Sequence, residues 1–228
     1  MTGKPTAIYH GSQRNRQVSD QILGIIQESL SVLFQVHFGD EDGKLFDQQT
    51  LVNLSADFLF SCCHLIVRKP LLDSIRIGAI NFHPAPPDYP GSGAWERALL
   101  AGDREFGCTA HIMYQEVDAG PILRVVRFPI FDEDDAETLR QRTSAPRLEL
   151  VRLVIEDLKR NNWQPVPNGE SWSGKAMRQK EVDKWAQIFE TDSESDVAKK
   201  LRAFAHSKKP GPFIEKAGAR FWYLKGAS

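Results

Sequence analysis

The feature that most limits what this chain can fold into is the alternation, through its first eighty residues, of short apolar runs with amphipathic stretches. Thr6 to His10 has the length and character of a strand, Gly11-Ser12-Gln13-Arg14-Asn15 interrupts it, and Val18, Ile22, Ile25, Ile26, Ser29 and Leu33 then recur at helical spacing. Leu33 to Phe38 reads as a second strand and residues 48–54 as a short helix. Asp57 to Cys62 is a compact apolar run of the kind that parallel sheets bury on both faces. A helical turn at Pro70 to Ile75 leads into Ile77 to Phe82, another buried strand. Strands separated by helices imply right-handed crossovers, so the expected class is α/β with a mostly parallel sheet.

Beyond a proline-rich loop, Ala94 to Ala101 is helical and is stopped by Gly102-Asp103, while Phe106 to Gln115 and Pro121 to Pro129 alternate as strands. From Asp135 the apolar positions Leu139, Leu148, Val151, Ile155 and Leu158 suggest one long helix, which Pro146 either kinks or divides. The charged stretches 132–147 and 178–202 are expected to be solvated faces. Composition shifts near residue 162, where Pro165, Pro167, Asn168 and Gly169 mark a linker over 163–178. That divides the chain into an α/β domain over 1–162 and a small C-terminal lobe over 179–228. The lobe reads as two polar helices near 179–189 and 193–205, then a β-hairpin entered by Pro210-Gly211-Pro212, with Phe213-Ile214 and Arg220 to Leu224 flanking Gly218. Its aromatics, Phe213, Phe221, Trp222 and Tyr223, are read as the hairpin's core and one face; an exposed strip there would stack a base or bury itself in a homodimer contact.

The 29 Lys+Arg residues against 30 Asp+Glu leave no broad basic face, which disfavours nucleic acid as a partner. No apolar run approaches the ~18 residues of a membrane span. Three cysteines (Cys62, Cys63, Cys108) are too few and odd in number for a disulfide framework, and MTGKPTAIYHG lacks the apolar core of a signal peptide. Both point to the reducing cytoplasm and to cysteines buried in the core. Cys62-Cys63-His64 and Cys108-x-x-His111 do not read as a metal site, because on a strand Cys108 shares its face with Ala110 and Ile112 while His111 points with Thr109 and Met113. His10, His37 and His206 belong to no constellation.

In open α/β sheets ligands sit beyond the C-terminal ends of the strands. The strand at Ile77 ends there in Asn81-Phe82-His83-Pro84, and period-2 alternation turns Asn81 and His83 to one side. A side-chain amide can donate to an oxyanion while an imidazole accepts a proton, so the pair suits acyl transfer, although an Asn-x-His tripeptide is more often a turn with hydrogen-bonded side chains. The loop Pro84 to Gly93, with four prolines and then two glycines, would pre-organise His83 or serve only as a rigid connector. Asp118, in the turn Val117-Asp118-Ala119-Gly120-Pro121, is the best carboxylate to orient the imidazole; an Asx-type backbone bond is the equal alternative. No Ser or Cys nucleophile accompanies these three, which favours direct attack by a substrate group. His111 lines the active-site side of the sheet or is a histidine satisfied in the core.

Ile80-Asn81-Phe82-His83-Pro84, the loop ending Tyr89-Pro90-Gly91, Gly102-Asp103-x-Glu105-x-Gly107-x-Thr109 and Val117-Asp118-Ala119-Gly120-Pro121-Ile122 together resemble the folate-dependent formyltransferases over roughly residues 57–130. The resemblance implies a Rossmann-like, mostly parallel sheet with a small C-terminal α+β appendage, 10-formyltetrahydrofolate as formyl donor, a primary amine as acceptor, and no metal. It assigns Asn81 as the oxyanion-stabilising asparagine, His83 as the catalytic histidine and Asp118 as its aspartate, with His64, Leu65, Ile66 and Val67 holding the pterin together with Val117. The loop after His83 lacks the serine and arginine common in the family, and Gly11-Ser12 is not the glycine-rich phosphate loop of the glycinamide ribonucleotide enzymes. Thr109-x-His111-x-Met113 and Leu201-Arg202-Ala203-Phe204 resemble instead the sugar N-formyltransferases, which implies a nucleotide-linked amino sugar as the small-molecule acceptor, with phosphoribosylglycinamide and hydroxyornithine as other acceptors. A formyltetrahydrofolate hydrolase and a binding protein without turnover are the competing classes.

Overall fold

In a computed structural model, residues 3–39, 47–204 and 211–223 can be described. The apolar runs of the N-terminal half become β1 (Thr6–Ser12), β2 (Ser31–Phe38), β3 (Phe58–Ser61) and β4 (Gly78–His83), connected through α1 (Arg16–Ser29), α2 (Gln49–Val52) and α3 (Lys69–Ser74). They pair in parallel, β2 with β1, β1 with β3 and β3 with β4. After α4 (Ala94–Ala101), β5 (Glu105–Ile112) and β6 (Ile122–Pro129) join as antiparallel strands, completing a six-stranded sheet in the order β2-β1-β3-β4-β5-β6. The alternation therefore translates into a mostly parallel α/β sheet.

Burial explains the runs. Ala7, Ile8, Tyr9, Phe58, Leu59 and Phe60 are all fully buried, because β1 and β3 lie centrally with helices on both faces. On one face Tyr9, Phe60 and Phe82 pack with Ile22 and Ile26 of α1 and with Leu150, Val154 and Leu158 of α6 (Ser144–Arg160). On the other, Ile8, Leu59 and Ala79 meet Leu51 and Leu71 of α2 and α3. Each such side chain contributes about 1.5–3 kcal/mol on burial, so the sheet is firmly fixed beneath its C-terminal rim.

The long helix divides into α5 (Ala136–Arg142) and α6, and the break falls at Thr143 rather than at Pro146. Proline crowds the carbonyl four residues back, here that of Arg142, so the helix gives way ahead of the proline. Asp135 caps α5 by accepting from Thr138 N (2.9 Å), and its own N–H donates to Thr138 Oγ1 (2.8 Å). The charged stretch here is not wholly solvated: Asp134 is 4 % exposed, held by Phe131 N and Arg142, and Arg147 is 8 % exposed.

The C-terminal elements are α7 (Gln179–Val182), a 3-10 turn over Asp183–Ala186, α8 (Glu194–Phe204) and the hairpin β7 (Phe213–Lys216) and β8 (Ala219–Trp222). The first polar helix is thus shorter than its pattern suggested, since Gln187 turns extended. Ala217 (φ 53°) and Gly218 (φ 77°) make the hairpin turn, a pair of positive φ values matching the twist of its strands. Val182, Ala203, Phe204 and Phe213 share one hydrophobic cluster with Ala94, Ala98, Leu99 and Phe106 of α4 and β5. Of the aromatic strip only Phe213 is buried; Phe221, Trp222 and Tyr223 are exposed. All three cysteines are free, Cys62 and Cys108 buried but Cys63 only half-buried, a departure from the expected core position. His206, Pro210 and Leu224 lie outside the described residues. Among the described residues no helix is long and apolar enough to cross a membrane.

Residues 163–178 run as an extended strap. Asn162 and Trp163 both turn through positive φ (52° and 63°), and Trp163 packs on Phe58. The chain then bonds from Asn168 N to Ile122 O (2.8 Å), Ser173 N to Pro87 O (3.1 Å), Met177 N to Pro90 O (3.2 Å) and back from Ser92 N to Met177 O (2.8 Å). The proline-rich loop that follows β4 is thereby clamped from outside.

Candidate active site

Strand pairing decides which side chains meet at the rim. Asn81 of β4 stands opposite His111 of β5, and His83 opposite Thr109, so the alternation that puts Asn81 and His83 on one face adds His111 to it. Asp118 completes the group from the turn beyond β5. Its Oδ2 lies 3.3 Å from His83 Nδ1 and its Oδ1 3.2 Å from His111 Nε2, and Gly91 N donates to Oδ2 at 2.8 Å. The residue adopts φ 46°, a left-handed conformation that aspartate tolerates better than most residues and that aims the carboxylate inward. His83, His111 and Asp118 are 7 %, 2 % and 6 % exposed.

Burial works to raise the Asp118 pKa, but the His83 and His111 rings and the Gly91 amide outweigh it and hold the carboxyl below its ordinary range. Burial pulls His83 the other way, below the usual imidazole value, against the opposing pull of Asp118 and the Tyr89 carbonyl. At neutral pH the site therefore pairs an ionised carboxylate with a neutral imidazole. A neutral ring donates one N–H, and both His83 nitrogens face acceptors: Asp118 Oδ2 at Nδ1 and Tyr89 O at Nε2 (3.1 Å). Donation to Asp118 turns the Nε2 lone pair toward the Tyr89 carbonyl, so that carbonyl has to give way to a substrate N–H before the ring can act as a carboxylate-oriented general base.

His111 holds the other half. Ile112 O, 2.9 Å from Nδ1, can only accept, so Nδ1 carries a proton. In the neutral ring Nε2 then accepts from Asn81 Nδ2 at 3.1 Å, which fixes the amide and leaves its second N–H for an incoming oxygen. When the ring carries a second proton, that proton faces Asp118 Oδ1 instead. His111 is thus buried with both ring nitrogens partnered, on the face that carries Asn81 and His83. The strap supplies a further residue: Trp172 meets the His83 ring edge-on at 5.8 Å and the His111 ring at 5.0 Å, and its Nε1 donates to Gly120 O (2.9 Å). A cavity of about 410 Å³ opens beside it, bounded by Tyr114, Pro121, Glu170 and Trp172. Nothing local in the sequence marks Trp172, since its partners lie 52 or more positions away.

The loop is locked onto this group. Tyr89 donates its hydroxyl to Asp103, Arg97 stacks over the Tyr89 ring at 5.0 Å and bonds Pro90 O (2.8 Å), and Gly91 takes φ 83° so close to Met177 that an added Cβ would lie 2.3 Å from its carbonyl oxygen. Gly91 therefore has to be glycine for the strap and loop to meet.

The segment expected to hold a cofactor lies beyond β3 as an extended strip. Val67 is buried in the cluster with Ala79 and Met113, whereas His64 and Ile66 are exposed, Ile66 at 67 %. Leu65, Ile66 and Val67 make no backbone-to-backbone hydrogen bond among the described residues, and neither do Val117, Asp118 and Ala119, although Ile66 O accepts from Gln48 Nε2 (2.9 Å) and the Leu65 backbone meets Cys63. The remaining backbone groups, with the exposed aliphatics Ile66 and Val117, form a set that fits a flat heterocycle with a polar edge. No cluster of His, Cys, Asp or Glu suited to a metal occurs among the described residues.

The rim of this α/β fold thus brings together a side-chain amide, two imidazoles and a carboxylate, groups able to stabilise an oxyanion and move a proton. The sequence profile of the family described as formyl transferase matches residues 42–155, half of the chain, and the protein belongs to that family. Among curated proteins it is 32 % identical over 122 residues to a methionyl-tRNA formyltransferase of Pediococcus pentosaceus, covering 53 % of this chain and 38 % of that one. It is 32 % identical over 129 residues to a phosphoribosylglycinamide formyltransferase of Haemophilus influenzae, covering 56 % and 61 %. The chain thus spans about 40–60 % of the length of these curated relatives. Solved structures of the same fold include a 4-N formyltransferase from Francisella tularensis (TM-score 0.78, 18 % identity, 98 % of both chains) and a sugar N-formyltransferase from a Shewanella species (0.74, 18 %, 98 % and 97 %). HypX from Aquifex aeolicus in complex with tetrahydrofolic acid also matches (0.66, 20 %, 97 % of this chain and 37 % of that one).

Proposed function

We propose that the protein transfers a formyl group from 10-formyltetrahydrofolate to the amino group of a nucleotide-linked amino sugar. The observation that carries the reaction is the bridge of Asp118 between His83 and His111 beside Asn81, in a chain of the formyl transferase family. The acceptor amine attacks the formyl carbon. Asn81 gives its free N–H to the oxyanion, and the lone pair of His83 takes the proton that the amine loses as the new C–N bond forms. The folate nitrogen regains a proton as its own bond to the carbon breaks. Asp118 keeps the imidazole oriented and stabilises it once charged. The strips at Leu65 to Val67 and Val117 to Ala119 would hold the pterin, which supplies the formyl group and no other chemistry.

The acceptor class is supported by the degree of structural likeness. The Shewanella sugar N-formyltransferase superposes at a TM-score of 0.74, whereas a methionyl-tRNA formyltransferase from Clostridium thermocellum, covered to 92 % of its own chain, superposes at 0.66. The charge balance of −1 adds nothing that would draw a tRNA. The test is formyl transfer, followed by release of tetrahydrofolate, across nucleotide-linked amino sugars, glycinamide ribonucleotide and hydroxyornithine. Turnover with a sugar nucleotide is expected; release without any amine would make the protein a hydrolase. Asn81→Ala and His83→Ala should each lose at least about two orders of magnitude in rate with the fold intact. A near-parental rate in either variant would sink the mechanism.

A further inference from the structure

The formyl-transfer reading leaves one buried charge unused. In the order β2-β1-β3-β4 the chain steps outward from β1 to β2 and then returns to place β3 on the other side of β1, and open α/β sheets bind ligands at such a reversal, beyond the strand ends. Arg147, in the first turn of α6, sits beside it. The residue is 8 % exposed, its Nε is sealed from solvent without a hydrogen-bond partner, and among the described residues no carboxylate pairs with it. Its charge is felt at Tyr9 of β1, at Cys62 and Cys63 just past β3, and at Cys108 of β5. None of these supplies an anion at neutral pH, since burial pushes the Cys62 and Cys108 thiols up to about 12 and the Tyr9 phenol higher. The register that sets Ser61 beside Asn81 brings Cys62-Cys63, two of the residues that feel the guanidinium, level with Phe82-His83 at the end of β4. Asn15 Nδ2 meets Ser144 Oγ (3.4 Å), closing the β1–α1 loop against the start of α6 above it.

A buried guanidinium with a sealed, unmet donor is costly unless something outside the protein completes it, and its planar fork of N–H groups suits two oxygens of one oxyanion. We propose that Arg147 is the receptor for an oxyanion, a phosphate or a carboxylate, carried by the acceptor whose amine reaches over the rim to Asn81 and His83. Naming the ligand as the acceptor rests on the formyl-transfer reading; the anion site itself does not.

The side-chain Nε–H resonances of 15N-labelled arginine, read on the whole chain, test it without any turnover. One resonance, lost in Arg147→Lys, is expected to move on addition of inorganic phosphate, pyrophosphate or acetate, and which of these moves it separates a phosphoryl from a carboxylate ligand. The same anion should raise the melting temperature of the parent and not of Arg147→Met, and Arg147→Met should melt no lower than the parent in anion-free buffer. In turnover, Arg147→Lys should raise the KM for the acceptor by about thirtyfold while the KM for the folate holds. An Nε–H that ignores all three anions, with Arg147→Met and Arg147→Lys both melting early, would overturn the proposal and make Arg147 structural. A response to anions without formyl transfer to any amine keeps the site and removes the formyl-transfer reading; transfer with a silent Nε–H does the reverse.

Discussion

Two carboxylates are buried at opposite ends of the same sheet, and they differ in what surrounds them. Asp57, at the entry to β3, is 4 % exposed and takes Thr6 N (2.8 Å), Thr6 Oγ1 (2.9 Å) and Arg76 Nε (3.0 Å). Asp118 is 6 % exposed, but its side-chain partners are two imidazoles at 3.2 and 3.3 Å and its backbone is left-handed. Both carboxyls are held below the ordinary aspartate range even though burial alone would raise them. Burial and pKa direction therefore do not separate them. The partners do: Asp57 is held by an amide, a hydroxyl and a guanidinium, which keep their protons across the physiological range, whereas Asp118 faces two imidazoles, the side-chain type best suited to exchanging a proton there. Asp57 ties the start of β1 to the segment ahead of β4, whereas the partners of Asp118 are groups that can take part in proton transfer.

The largest expected effect comes from exchanging each carboxylate for its amide. Asp118→Asn should cost about three orders of magnitude in kcat while moving the melting temperature little, because the amide keeps the bond from Gly91 but presents the wrong donor pattern to His83. Asp57→Asn should leave the turnover of folded enzyme unchanged and cost roughly 2–3 kcal/mol of stability by unpairing the Thr6 donors and Arg76. Rates from stopped assays and unfolding by denaturant on both variants check this. If the two variants lose activity equally, the contrast between the sites is wrong.

Acidification should separate them by pH. The folded pKa of His83 lies below 6.5, so the ring is neutral at pH 7 and kcat/KM should fall along a limb whose midpoint lies below 6.5, as its lone pair is lost. Asp57 is ionised more readily in the folded state than in the unfolded chain, so its contribution to stability is complete above 3.8 and disappears as pH falls through its lower folded value. His10, fully buried with a pKa lowered to about 4, adds a loss that develops between 6.5 and about 4. Circular dichroism should thus remain native at the midpoint of the activity limb. A limb centred at or above 6.5, or one that coincides with unfolding, breaks the assignment of His83 as base.

The strands and the pairing of Asn81 with His83 are legible because they follow from local period and from a strand end. Asp118 is legible only as a turn residue, and its bridge to two rings depends on the β4–β5 register, which pairs positions 30 apart. His111 could be placed on the correct face but not given partners. Arg147 and Asp134 sit in a stretch whose charge pattern reads as solvated, yet both are buried, Asp134 against Phe131 N and Arg142 and Arg147 on the sheet-facing side of α6. Residues 163–178 have the composition of a linker, yet prolines and glycines equally suit an extended strap that bonds through its backbone. Composition reports the backbone's freedom and not what the backbone meets.

The strap supplies the smallest and most discriminating test. Trp172 could act on the two histidines through its ring or through the bond from its Nε1 to Gly120 O, which braces the turn carrying Asp118. Trp172→Phe keeps an aromatic edge against both rings and removes the bond, a loss of about 1 kcal/mol, so kcat should fall by only about fivefold with the acid limb in place. Trp172→Ala also opens the rings to water, which eases protonation of His83, so its acid limb should move upward toward 6.5 as well as losing rate. Parallel pH profiles of the two variants read the difference. An unmoved limb in Trp172→Ala would mean that the strap braces the turn without shielding the histidines, and the contrast with Asp57 would then rest on the imidazole partners alone.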